Sequence, residues 1–165
     1  MNESGDQLKQ QMRTMLGARN KVLQVPLQRF DTAKIEWAKE NMQKVGTREL
    51  PFLKQVEAYK ILACQMRGGK TMPLEVQVLR LSDEVAVVGL PGEVFVDLGL
   101  AIKKESPFPV TLVIELCQDC PGYIPTTKAF AEGSYETVNS RIAPGGGEQM
   151  AETAVRLLKE LKQEI

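Results

Sequence analysis

Val85-Ala86-Val87-Val88-Gly89-Leu90-Pro91-Gly92-Glu93 is a β-branched, apolar run stopped by Pro-Gly and followed at once by a carboxylate. Its apolar character does not alternate, so it predicts a strand buried on both faces. Pro91 and Gly92 end it, because proline lacks the ladder N–H and glycine accepts a turn conformation. Residues 93 to 105 then place Val94, Leu98, Ala101 and Ile102 at helical spacing, closed by Ser106-Pro107. Val110 to Leu116 reads as another buried strand. Strand, helix and strand in that order predict an α/β fold, a small mixed β-sheet with helices packed on it. In such sheets, sites collect beyond the carboxyl ends of the strands, which is where Glu93 falls.

Toward the N-terminus, Glu75 to Leu81 is a β-branched-rich run separated from Val85 by Ser82-Asp83-Glu84, which predicts a hairpin. Lys21 to Phe30 is apolar around Pro26, and the proline makes it an edge strand. Residues 7 to 16 read as a short helix ended by Gly17. Asp31 is placed to cap a helix carrying Ile35, Ala38, Met42 and Val45, with Gly46 past its end. A second helix, Pro51 to Met66, presents Phe52, Leu53, Val56, Tyr59, Leu62, Ala63 and Met66 as a broad apolar face. Arg67-Gly68-Gly69-Lys70-Thr71 mimics the tail of a phosphate-binding loop, yet it leads from a helix into a strand and reads as an ordinary glycine turn.

Toward the C-terminus, a long polar connection runs from Cys117 to about Gly147, with one helical turn expected at Thr127 to Ala131. Connections of that length are usually functional or packed on a partner surface. Pro144-Gly145-Gly146-Gly147 leads into a terminal helix striped by Met150, Ala154, Val155, Leu157, Leu158 and Leu161. The glycine run could cradle an anion, but it lacks a lysine and reads as a flexible entry. No repeat or linker divides residues 1 to 165, which read as a single domain or part of one.

Composition narrows the chemistry. Among 165 residues there is no histidine, which removes every Ser-His-Asp or Cys-His arrangement from within the chain. Lys+Arg and Asp+Glu balance at 21 each, so no global charge favours nucleic acid. No signal peptide and no transmembrane segment is visible, and localisation stays open. Cys64, Cys117 and Cys120 are an odd set in a chain of ordinary size and read as reduced. Cys117-Gln118-Asp119-Cys120 has the spacing of a redox pair or half a structural zinc site, but no second pair exists to complete four ligands. Glu93 at a helix start is more simply explained, without any function, by the macrodipole, worth roughly 0.3–1 kcal/mol there. Tyr123, between Pro121-Gly122 and Ile124-Pro125, is likewise more simply explained as a turn residue capping the core.

Three segments nevertheless belong together: Ala86 to Phe95 around Pro91-Gly92-Glu93, then Gly122-Tyr123-Ile124-Pro125-Thr126, then Gly133-Ser134-Tyr135-Glu136. In that order they resemble the neutral/alkaline (non-lysosomal) ceramidase family, in its bacterial ceramidase-like branch. The resemblance spans about residues 21 to 163, with the motifs confined to about 75 to 137. It implies a zinc held by two histidines from an N-terminal part, a glutamate matching Glu93 and a tyrosine matching Tyr123, with Tyr135 as a catalytic residue near the metal that steadies the oxyanion. It implies hydrolysis of a lipid-like N-acyl amide to a fatty acid and an amine. The family's N-terminal Ser- and His-bearing motifs are absent, so the chain looks like the C-terminal portion of such an enzyme. It would be silent alone, and zinc would require the His ligands from outside this chain, either the missing N-terminal half or another chain. The alternative is a non-catalytic remnant or partner-binding subunit. The turn before the tyrosine motif departs from the family, with Gln118-Asp119-Cys120-Pro121 where relatives have an Asn-Gly type of turn.

Overall fold

A computed structural model describes residues 16–163. The helix expected over residues 7 to 16 lies outside the described residues except at its last position. Strand β1 (Gly17–Pro26) opens the described chain. Helix α1 (Thr32–Met42) begins where the Asp31 carboxylate accepts the Lys34 N–H at 2.8 Å, as the capping preference of aspartate predicts. Helix α2 (Phe52–Met66) follows, then β2 (Thr71–Arg80) and β3 (Val85–Gly89). Next come β4 (Glu93–Val94), α3 (Val96–Glu105) and β5 (Val110–Ile114). The expected loop after β5 holds β6 (Tyr123–Ile124), α4 (Thr127–Glu132) and α5 (Tyr135–Asn139) before the terminal helix α6 (Gly146–Gln163).

The main sheet has the order β1-β2-β3-β5, antiparallel at the first two junctions and parallel at the last. A mixed sheet with helices on it is the α/β architecture that the sequence predicts. Alternate residues of β2, Met72, Leu74, Val76 and Val78, are buried on one face with Ala86 and Val88 of β3. That face meets α6 through Met150, Ala154, Leu158 and Leu161, and α3 through Leu98 and Ile102. Each of the valine, leucine, isoleucine and methionine side chains among them contributes about 1.5–3 kcal/mol on burial. The expected hairpin pairs Gln77 with Gly89 and Arg80 with Ala86, and Pro26 sits on an edge strand as its missing N–H requires.

Several expectations change. β5 is not buried on both faces: it is an edge strand, and Val110, Leu112 and Ile114 are about half exposed. The apolar run cannot reveal whether a cover exists, and none lies over that face among the described residues. α1 ends at Met42, and the chain turns through Gly46 at φ +85° instead of carrying Val45 in the helix. On α2 the buried line is Ala58, Ile61 and Cys64, while Phe52, Leu53, Tyr59 and Met66 of the expected apolar face are exposed. α2 packs on α1 and α5, which cover its narrow, small-residue side. The glycine run is no flexible entry. Gly146 and Gly147 lie inside α6, where a Cβ at Gly146 would stand 2.5 Å from Val25 and one at Gly147 2.6 Å from Leu98.

Candidate functional site

Beyond the carboxyl ends of β3 and β5 the chain makes a small second sheet. Glu93 does not open a helix there: it lies in β4, and α3 starts three residues later at Val96. The macrodipole account of this carboxylate therefore fails. Residues 93 and 94 instead pair in parallel with β6, and the register sets Glu93 directly against Tyr123. Glu93 N–H donates to the Gly122 carbonyl at 3.0 Å and Phe95 N–H to the Ile124 carbonyl at 3.1 Å.

Gly92 makes this junction possible. Its φ is +79°, a left-handed conformation, and an added Cβ would stand 2.5 Å from the Gly122 carbonyl oxygen. Only a residue without a side chain lets the two turns approach this closely. Around it, Gly92 N–H donates to the Asp119 carbonyl, Leu116 N–H to the Gly92 carbonyl and Cys117 N–H to the Leu90 carbonyl. The Glu115 carboxylate accepts the Val94 N–H at 2.7 Å, fixing the other end of β4. Leu116 and Gln118 both have positive φ, +57° and +62°. The Gln118 position lies within the turn where an Asn-Gly sequence would relax the backbone, and non-glycine residues there carry local strain.

Tyr123 is held from behind. Fully buried Ser140 donates its hydroxyl to the Tyr123 carbonyl at 2.9 Å, and Arg141 donates to the Pro121 carbonyl at 2.7 Å. Gln28 in turn donates to the Ser140 carbonyl at 2.8 Å, and its own side-chain oxygen accepts from Lys60 at 3.1 Å. Sequence reasoning missed Ser140, Arg141 and Glu115. No local spacing marks them, because each reaches its partner from another segment of the chain.

Desolvation first, and then the interaction with the Glu93 carboxylate beside it, pushes the Tyr123 phenol above its ordinary pKa. Tyr135 is the first residue of α5, capped by Ser134, whose hydroxyl accepts the Thr137 N–H. Its ring meets Tyr123 edge to face, with centroids 5.8 Å apart at 76°, and stacks on Phe52 at 5.8 Å and 16°. Asn139 donates to the Tyr135 hydroxyl at 3.3 Å. The three residues singled out in sequence are thus brought together, with Phe52 continuing the line of rings outward. A cleft of about 340 Å³ opens beside them, lined by Val45, Phe52, Val56, Tyr59, Tyr135 and Asn139.

Glu93 and Tyr123, set opposite each other by the β4–β6 register, are two oxygen donors suited to a metal ion. They do not complete a site, and no group of three or more His, Cys, Asp or Glu side chains suited to a metal occurs among the described residues. Cys117 and Cys120 are both free, the first half-buried and the second exposed, and Cys64 is buried. Burial raises the Cys64 thiol pKa, the pattern of an inert cysteine. No helix among the described residues is long and apolar enough to cross a membrane.

No family profile matches the chain, and no curated protein sequence does. Among solved structures, neutral ceramidase from Pseudomonas aeruginosa superposes with a TM-score of 0.57 at 14% identity, over 91% of this chain and 29% of the ceramidase. A ceramidase complexed with C2 gives the same TM-score and identity, over 91% of this chain and 30% of the other. The likeness is one of fold, and the chain spans less than a third of the length of either protein.

Proposed function

We propose that these residues supply one side of a ceramidase-like zinc amidohydrolase site, with Glu93 and Tyr123 as two metal ligands and Tyr135 beside them. The observation that carries this is the β4–β6 register, which sets the two donors opposite each other at the carboxyl end of a parallel strand pair. The remaining ligands, histidines in the family that the sequence resembles, would come from polypeptide outside the 165 residues. When bound in such a set, zinc supplies Lewis acidity toward a water and an amide carbonyl.

The chain's own residues do the positioning. Gly92 and Gly122 bring the donors together, Ser140 fixes the Tyr123 backbone, and Glu115 fixes β4. Tyr123 keeps its own proton beside the Glu93 carboxylate, and ligating a cation with both oxygens would release it, so occupancy would be coupled to proton release. Tyr135, edge-on to Tyr123 and hydrogen-bonded by Asn139, is placed to donate to an oxygen held at the same point. The Phe52–Tyr59 cleft offers an apolar wall for the rest of an N-acyl amide.

Zinc titration of the purified chain should show weak binding with proton release, lost in both Glu93→Ala and Tyr123→Phe, and no hydrolysis of an N-acyl amide. Tight binding that survives both substitutions would sink the ligand assignment, and hydrolysis by the chain alone would sink the half-site. A second reading, a non-catalytic docking subunit, is favoured by the uncovered apolar edge at β5. It predicts a stable complex with a partner chain in which neither Glu93→Ala nor Tyr123→Phe alters metal content.

A further inference from the structure

A second cleft, of about 330 Å³, opens where the chain leaving β1 meets the end of α2, and its lining includes Gln28, Arg29, Phe30, Cys64, Gly69 and Lys70. No carboxylate lines it. The Arg29 and Lys70 side chains are exposed and make no ion pair or hydrogen bond among the described residues. Arg67 and Arg141 add positive charge that reaches Cys64 on the cleft wall. In a chain with zero formal net charge, this is a concentrated local excess of cations.

Lys60 stands behind the same wall and is the stronger anomaly. It is 5% exposed, and its ammonium donates to the neutral Gln28 side-chain oxygen at 3.1 Å and lies 4.5 Å from the Phe30 ring centroid. Gln28, Phe30 and Cys64, its immediate neighbours, all line the cleft. Glu57, whose charge Lys60 feels, is bonded to Lys54 at 2.7 Å. An ammonium with three donors and one neutral acceptor, withdrawn from water without a carboxylate, is a costly arrangement. A negative charge in the cleft would remove that cost. Gly68, at φ +63°, and Gly69 leave the rim without side chains, so an anion can approach the backbone.

We propose that this cleft is an oxyanion site for a phosphate group, gripped at its mouth by Arg29 and Lys70 and compensated from within by Lys60. The arginine fork suits two oxygens of a tetrahedral anion and the lysine acts as a point charge. The phosphate can belong to a free small molecule or to a lipid headgroup, whose chemistry at the site is the same. The Lys60–Gln28–Ser140–Tyr123 line of hydrogen bonds joins this cleft to the β6 turn.

The test has two arms at low ionic strength. In the first, inorganic phosphate and pyrophosphate are titrated into the purified chain while backbone amide resonances are followed. Saturable shifts centred on Gly68, Gly69 and Lys70 are expected, weakened at least about tenfold in Arg29→Ala/Lys70→Ala and in Lys60→Met. In the second, phosphatidylcholine vesicles with and without phosphatidate are sedimented with the same proteins. Binding in either arm that is lost in the variants supports the site and identifies the source. Absence of binding in both arms overturns it, and so does binding that the exposed double variant, which leaves the core untouched, fails to weaken.

Discussion

The two edges of the four-stranded sheet are built differently. β1 carries Arg19, Asn20, Lys21 and Gln24 and ends in Pro26, the charged and proline-bearing character of an edge that faces water. β5 presents Val110, Leu112 and Ile114, each close to half exposed, with no charged residue in its five positions. The same contrast separates two helices. α6 buries Met150, Ala154, Leu157, Leu158 and Leu161, whereas α2 leaves Phe52, Leu53, Tyr59 and Met66 in solvent. The molecule therefore has a finished side, where α6 covers β1 and β2, and unfinished surfaces, the β5 edge and the outer face of α2. An apolar edge of this kind is a template for added polypeptide.

Truncation on the finished side should have the largest effect. Leu158 is fully buried between α6 and the sheet, and Leu158→Ala should cost about 2–5 kcal/mol in urea unfolding, because the cavity cannot collapse. A cost below that range would mean that α6 is held loosely and that the finished side and the unfinished surfaces differ less than their burial says. Gly147→Ala should come next. Its Cβ would stand 2.6 Å from Leu98 and 2.8 Å from the Pro125 carbonyl oxygen, and overpacking of this kind costs about 1–3 kcal/mol. A neutral result would show that α6 can shift on the sheet.

A pH effect is expected at Tyr123, on the short β4–β6 sheet. Its folded pKa is raised, so the native state holds the phenol proton more firmly than the unfolded chain does. Stability is then fully present below the ordinary tyrosine pKa and is lost as pH rises through the folded value. In Tyr123→Phe this part of the alkaline loss should vanish while the neutral-pH transition stays two-state. Phenolate absorbance gives a second measure, since Tyr123 should ionise above the ordinary tyrosine range and Tyr123→Phe should remove that late part of the rise.

What was legible in the sequence follows the same division. Pro26 placed β1 at an edge, Asp31 capped α1, and the Leu157–Leu158–Leu161 stripe found α6, because each signal is local and its partner is this chain. The pairing of Glu93 with Tyr123 was approachable only through motif order, since thirty residues separate them and a two-residue parallel ladder has no periodicity. Ser134-Tyr135-Glu136-Thr137 held a legible cap for α5 that the length of the loop obscured. The outer face of α2 and the run at β5 misled for one reason: hydrophobicity records that a surface is apolar, and the cover has to be seen. That Glu93 begins a short strand rather than a helix depends on Gly122 arriving alongside, a tertiary contact with no local sign.

The smallest stability effects should fall on the unfinished surfaces, and they carry the most information about them. Leu112→Thr replaces a half-exposed leucine on the free edge with another β-compatible residue, and Met66→Ser removes a side chain that is 88% exposed. Each should change unfolding free energy by no more than about 0.5 kcal/mol, as surface substitutions do. Any self-association in sedimentation, by contrast, should fall in Leu112→Thr, because an exposed apolar edge strand is a template for added polypeptide. If Leu112→Thr destabilises the isolated chain as Leu158→Ala does, β5 is covered in solution and the contrast between the two edges collapses.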